Sequence, residues 1–232
     1  MKKKRAVVLL SGGIDSSTTL FIAKRKGYEC HALIFDYGQR HRRELRSAVD
    51  IARAARARHK ILKISLPWQG SSLIGKGKRL PSARPLGEIK TGIPSTYVPA
   101  RNTIFLSFAL SFAESIGAEK IFIGANAVDF SGYPDCRGPY LKAFERVIKE
   151  GTKAGAEGRK ISIEAPLLFK TKSDIVKEAR KLDVPYARTW SCYKGGKRPC
   201  SKCDSCILRA KGFEEAGIKD PLLNNEQKSR RS

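Results

Sequence analysis

Ala6-Val7-Val8-Leu9-Leu10-Ser11-Gly12-Gly13-Ile14-Asp15-Ser16 decides the architecture of this chain. The apolar, β-branched run predicts a buried strand over 5–10, and Ser11-Gly12-Gly13 breaks it. A helical stretch follows over 14–26, so the order is strand, glycine turn, helix. Such a turn aims backbone N–H groups and a helix N-terminus at one point, which favours a phosphate. Gly12 and Gly13 permit close approach of the anion, and Ser11, Ser16 and Ser17 add hydroxyl donors. No Lys follows the glycines, so the loop is not of the Walker type. Asp15 stands at the helix start, where it can organise the loop, cap the helix or help hold Mg²⁺.

Working outward, strands over 29–36, 60–65, 120–124 and 161–164 alternate with helices over 40–58, 101–117, 140–155 and 172–182. That alternation predicts an α/β fold, a Rossmann-like doubly wound parallel sheet with ligands beyond the carboxyl ends of the strands. Ile104, Phe105, Phe108, Ala109, Phe112 and Ile116 leave the helix over 101–117 few polar faces, so it should lie sandwiched against the sheet. Thr171-Lys172-Ser173-Asp174 has the form of a capping box. Residues 1–186 form the expected α/β domain, 187–215 an appended module and 216–232 a mostly mobile tail.

Three loops fall at the expected ligand edge: Phe35–His41, Tyr97–Thr103 and Asn126–Cys136. Asp, Asn, Gly and Pro serve turns as well as ligands, so composition leaves both roles open.

Lys and Arg number 46 against 22 acidic residues, a formal net charge of +24 that concentrates anions. No basic stretch is interleaved with aromatics as in a nucleic-acid module, so no direct tRNA binding is expected. No apolar run approaches the ~20 residues of a membrane span. The basic start and short apolar run do not make an export signal, and a cytoplasmic location is expected.

Four of the six cysteines form Cys192-x7-Cys200-x2-Cys203-x2-Cys206. Such spacing can place four thiolates around one tetrahedral zinc, closed and hence structural. An iron–sulfur cluster or a redox pair is the alternative. Cys30 suits a strand core, and Cys136 lies in a loop of undecided role.

The segments SGGIDSS, FDYGQRHRRE, YVPARNTIF, GANAVDFSGYPDCR and TWSCYKGGKRPCSKCDSCILRAKGF, in that order, resemble the 7-cyano-7-deazaguanine synthase family over about 6–215. SGGxDS alone is similar to the loop of ATP pyrophosphatases, which include tRNA-thiolating and lysidine-forming enzymes, the alternative function. The resemblance implies an adenine-nucleotide-hydrolase-like fold with a four-cysteine zinc module. It implies conversion of 7-carboxy-7-deazaguanine, ATP and ammonium to the nitrile, for queuosine or archaeosine. Leu10, Ser11, Gly12, Gly13, Ile14, Asp15, Ser16, Ser17, Thr18, Thr19 and Leu20 would hold ATP. Cys192, Cys200, Cys203 and Cys206 would hold zinc, and Arg101, Asn102, Asp129 and Tyr133 would line the substrate site. A homodimer is also implied, as is Mg²⁺ beside the pyrophosphate. Ser201 departs from the pattern, which has Gly between the cysteines, so a slightly altered zinc knuckle is expected.

Overall fold

The computed structural model describes residues 3–39, 41–67, 71–73, 80–85, 92–126 and 132–223. Within them β1 (Arg5–Leu9), β2 (Glu29–Asp36), β3 (Arg58–Lys63), β4 (Lys120–Phe122) and β5 (Ser162–Glu164) form one sheet in the order β3-β2-β1-β4-β5. All four pairings are parallel. β1 sits in the middle because every second residue serves a different face. Ala6 and Val8 join one core with Leu20, Ala23, Ala48, Ile51 and Ala52. Val7 and Leu9 join the other with Leu106, Ala109, Leu141 and Phe144.

Those cores are closed by α1 (Ile14–Arg25) and α2 (Arg43–Ala54) on the first face, and by α3 (Arg101–Ile116) and α4 (Gly138–Gly151) on the second. The chain runs outward from β1 to β3, then returns past β1 to β4. Strand order therefore reverses between β1 and β4, and the crevice at their carboxyl ends is where such sheets take ligands. A short α5 (Lys153–Ala156), then α6 (Lys172–Lys181) and α7 (Asp204–Glu215), complete the helices described here.

Several boundaries differ from expectation for local reasons. The helix expected over 40–58 is shorter, because Arg56 takes a left-handed φ of 49° and the chain re-enters the sheet at Arg58. The helix expected over 140–155 is broken at Thr152, whose hydroxyl accepts from the Gly155 amide at 3.0 Å and starts α5. α3 is not fully sandwiched: Leu106, Ala109, Leu110 and Ala113 face inward, while Phe108 is 41% exposed. The capping box of α6 is present, with Thr171 and Asp174 bonded reciprocally.

α7 docks on the α/β body through Phe213, which packs with Ile14, Leu167, Ile175 and Val176. Arg209, also on α7, is buried and paired with Asp220 at 2.6 Å. It donates as well to the Thr189 hydroxyl at 2.8 Å. A charge can be buried only with such satisfaction. The described chain continues past 215 to Leu223, with the Leu222 amide donating to Asp220 at 3.0 Å; residues 224–232 lie outside the described ones.

Candidate active site

The glycine turn sits where strand order reverses, and two close approaches hold it there. Gly12 has φ +83°, and a Cβ on it would come within 2.6 Å of the Ala48 amide nitrogen and 2.7 Å of the Glu44 carbonyl oxygen. A Cβ on Gly124, after β4, would meet the Ser16 nitrogen at 3.0 Å. One glycine lets α2 touch the turn and the other lets α1 begin over β4. A Cβ on Gly13 would meet nothing nearer than the Ser11 Oγ at 3.6 Å. The two glycines therefore differ: Gly12 is required by packing, whereas Gly13 borders open space.

A cavity of about 290 Å³ opens over the turn. Leu10, Ser11, Gly13, Ile14, Asp15 and Ser16 line it, whereas Gly12, Ser17, Thr18, Thr19 and Leu20 do not. The Ser17 hydroxyl donates to the Gly13 carbonyl at 2.7 Å, Thr18 to Ile14 at 2.7 Å and Thr19 to Asp15 at 2.9 Å. Leu20 belongs to the sheet core. The eleven-residue run expected to hold ATP is thus divided by helical periodicity, with the back face spent on the fold. Ser11 and Ser16 hydroxyls lie 3.0 Å apart beside the Gly13 amide, a compact group of donors at the start of α1.

Asp15 faces this group from the first turn of α1. One carboxylate oxygen accepts from Lys172 at 2.5 Å, from the first residue of α6, and from Asn126 at 3.3 Å. The other oxygen, Oδ1, is buried with no hydrogen-bond partner. A carboxylate with one oxygen held and one bare suits a hard cation such as Mg²⁺.

The opposite wall comes from the start of α3. Ala100 takes a left-handed φ of 50°, which costs strain in a residue with a Cβ. It turns the chain so that Arg101 and Asn102 enter the cavity. Arg101 donates to the Tyr37 hydroxyl at 3.2 Å, and Phe105 stacks on Phe35 at 3.9 Å. The Asn102 amide donates to Asp135 at 2.9 Å, and its side chain to the Cys136 sulfur at 3.0 Å. The Tyr133 hydroxyl lies 2.9 Å from that of Thr96. Arg101, Asn102 and Tyr133 are brought together with the glycine loop; Asp129 falls outside the described residues. Cys30 is a core residue as expected, and Cys136 lies on the cavity.

Sequence reasoning missed Glu44, Lys172 and Trp190, all of which line the cavity. Glu44 was visible only as the end of FDYGQRHRRE, and Lys172 only as part of a capping box. Burial pushes the Glu44 carboxyl up to about 7; the Arg101 charge opposes the shift and the Cys192 thiol adds to it.

Next to the cavity, the sulfurs of Cys192, Cys200, Cys203 and Cys206 lie within 4.8 Å of one another. No pair forms a disulfide. Sulfurs at Zn–S distances of about 2.3 Å stand nearly 4 Å apart in a tetrahedron, and Cys200 and Cys206 are 4.0 Å apart. Amides of Lys194 and Cys200 donate to the Cys192 sulfur, and that of Cys203 to Cys200. Such donors favour thiolates, so the donor set fits a closed four-sulfur metal site. Ser201, where the resemblance has glycine, takes a left-handed φ of 54°.

Residues 5–217 match the family described as Queuosine biosynthesis protein QueC. The chain is 53% identical over 221 residues to a 7-cyano-7-deazaguanine synthase of Nostoc punctiforme, covering 94% of this chain and 99% of that one. It is 54% identical over 222 residues to the same-named protein of Thermoplasma acidophilum, covering 96% and 92%. Among solved structures, NMN synthetase from Francisella tularensis aligns with a TM-score of 0.51 at 14% identity, over 94% of this chain and 79% of that one, a likeness of fold. Neither tRNA thiolation nor lysidine formation appears in these names, and the chain belongs to the QueC family.

Proposed function

We propose that the protein is a 7-cyano-7-deazaguanine synthase, a C–N ligase that makes the nitrile from 7-carboxy-7-deazaguanine, ammonium and ATP. The observation that carries this reading is the convergence of the family's own segments on one cavity: Ser11, Gly13–Ser16, Tyr37, Arg101–Asn102 and Tyr133.

The chemistry follows from the leaving group. A carboxylate resists attack by ammonia because oxide would have to leave. Transfer of AMP to the carboxylate releases pyrophosphate and creates an acyl adenylate. Ammonia displaces AMP to give the amide. A second adenylation on the amide oxygen then lets loss of AMP leave the nitrile. The amide nitrogen loses both its protons in the process.

The protein contributes position and charge. The Gly13 amide and the Ser11 and Ser16 hydroxyls face the pyrophosphate, with Lys172 beside them offsetting its charge. Arg101 is placed to offset charge on the substrate carboxylate. Mg²⁺, held by Asp15, would neutralise phosphate charge. Zinc on Cys192, Cys200, Cys203 and Cys206 would have a structural role. The division into an α/β domain and a metal module, and a homodimeric state, belong to the same reading.

Product analysis tests it. With the acid, ATP and ammonium, two AMP and two pyrophosphates should appear for each nitrile, since each lost oxygen needs its own activation. The primary amide should accumulate under limiting ATP, and supplied amide should react without ammonium. ADP as product would overturn the loop assignment, and an inert amide would overturn the two-step route.

A further inference from the structure

The ligands of the proposed reaction are mostly anionic: ATP, pyrophosphate and a substrate carboxylate. Yet the cavity contains two acidic side chains, Asp15 and Glu44. Asp15 is accounted for by Lys172 and Asn126. Among the described residues no salt bridge or hydrogen bond of the Glu44 carboxylate is seen, although Arg101 and Tyr37 lie near enough to interact with its charge. Glu44 belongs to the first turn of α2, anchored by close contact of its carbonyl with Gly12. Burial raises the Glu44 carboxyl, and a partner rich in donors favours its ionised form, which accepts hydrogen bonds and donates none. Facing a phosphate it would be repulsive, so its partner must be a group rich in donors.

A guanine-type ring supplies that group. Its N1–H and exocyclic 2-amino group present two adjacent donors, which match the two oxygens of a carboxylate. Adenine presents an acceptor beside a donor on the corresponding edge and matches poorly. The same cavity is also lined by Phe35, Tyr37 and Phe105, flat surfaces suited to a planar ring. The 7-substituent lies on the five-membered ring, at the far end from N1 and the 2-amino group. Holding one end of the ring therefore sets the direction of the other.

We propose that Glu44 accepts hydrogen bonds from N1–H and the 2-amino group of the deazaguanine, selecting this base and fixing the direction in which its 7-carboxyl points. This rests on the function proposed above. Glu44 is on this account a specificity residue, and it also keeps the adenine of ATP out of the substrate's end of the cavity.

The test compares wild type, Glu44→Gln and Glu44→Ala with 7-carboxy-7-deazaguanine and with its analogue lacking the 2-amino group. Zinc content and melting temperature report folding. The wild type should use the analogue roughly 30-fold less well in kcat/KM, as loss of a hydrogen bond to a charged group implies. In Glu44→Ala that discrimination should fall to about threefold or less, since no carboxylate remains to be left unpaired. Glu44→Gln should raise the KM for the acid by about 30-fold and leave the KM for ATP within about twofold. Equal discrimination in wild type and variant would overturn the assignment, as would a wild type indifferent to the 2-amino group. A wild type that makes no nitrile from the acid would overturn the proposed function and this inference together.

Discussion

The amide of Trp190 donates to the carbonyl of Gly12 at 2.8 Å, joining the cysteine module to the glycine turn. Trp190 is itself buried, and its indole N–H donates to the Cys192 carbonyl at 2.9 Å. The four-cysteine cluster is therefore linked through two hydrogen bonds to the glycine turn. Ser47 adds a further tie, its hydroxyl donating to the Arg188 carbonyl at 2.7 Å.

Cys203→Ser should accordingly do more than release a metal. Binding energy at a structural site is largely folding energy, so the melting temperature should fall by roughly 10 °C. ATP affinity should fall with it, because the segment from Trp190 to Cys192 loses its anchor. Metal analysis of the native protein should show about one zinc per chain. Iron with visible absorbance in anaerobic preparations would replace zinc by a cluster.

The two glycines of the turn should respond differently to a methyl group. Gly12→Ala meets the backbone of α2 and a left-handed φ, and should cost about 2–4 kcal/mol of stability. Gly13→Ala meets only ordinary contacts, and should keep stability within about 1 kcal/mol. Its ATP affinity should nevertheless fall at least about tenfold, because its Cβ enters the ligand's space. Thermal melts and nucleotide titration on the two variants decide the matter. A Gly13→Ala protein with native affinity would remove the phosphate from this turn.

Ser201→Gly should stabilise the zinc knuckle. Ser201 stands at φ 54°, where a Cβ costs about 1 kcal/mol and glycine is free of that cost. Part of the gain is returned as backbone entropy of the unfolded chain, leaving about 0.5–1 kcal/mol. Denaturant titration of the zinc-loaded protein measures it, and a variant no more stable than the native chain would mean the turn carries no strain.

Asp15→Asn keeps the shape of the side chain and removes its charge. Turnover should drop by about 100-fold, and the Mg²⁺ concentration for half-maximal activity should rise about tenfold. An unchanged Mg²⁺ curve would leave Asp15 as an organiser of the loop through Lys172.

Across the sheet edge, Glu164 accepts from Lys120 at 2.7 Å and from Lys26 at 3.3 Å. Burial acts to raise the Glu164 carboxyl and is the largest single influence, but the hydrogen bonds and charges of Lys120 and Lys26 together outweigh it and hold the group below its ordinary value. A carboxyl depressed in the folded state adds stability above its unfolded pKa and loses it as pH falls through the folded one. Glu164→Gln should thus cost roughly 1 kcal/mol near neutrality, after allowance for partial exposure. The difference should vanish on acidification below the carboxylate range. Equal stability of the two proteins at pH 7 would show the pair contributes nothing.

Most of the sheet was legible in the sequence, because Ala6–Leu10 and Glu29–Asp36 are apolar runs bounded by turns. β3 was misplaced by two residues, since Arg58-His59-Lys60 is polar and exposed on an edge strand. The cysteines and the glycine turn are local in sequence and were recognisable by spacing alone. Glu44, Lys172 and Trp190 were not, because each reaches the cavity only through packing of helices or loops that are remote in the chain. The split of Leu10–Leu20 into cavity and core faces was implicit in helical periodicity, which a continuous motif conceals.

Lys172 and Asp15 are 157 positions apart in the chain. On the ribosome the glycine turn emerges early, yet Lys172 follows much later and Trp190 later still. A nascent chain released before Trp190 would carry the nucleotide loop without the backbone donor that holds its Gly12 carbonyl. Nucleotide binding should therefore arise only once Lys172 and Trp190 have been added, and metal acquisition and ATP binding should mature as one event.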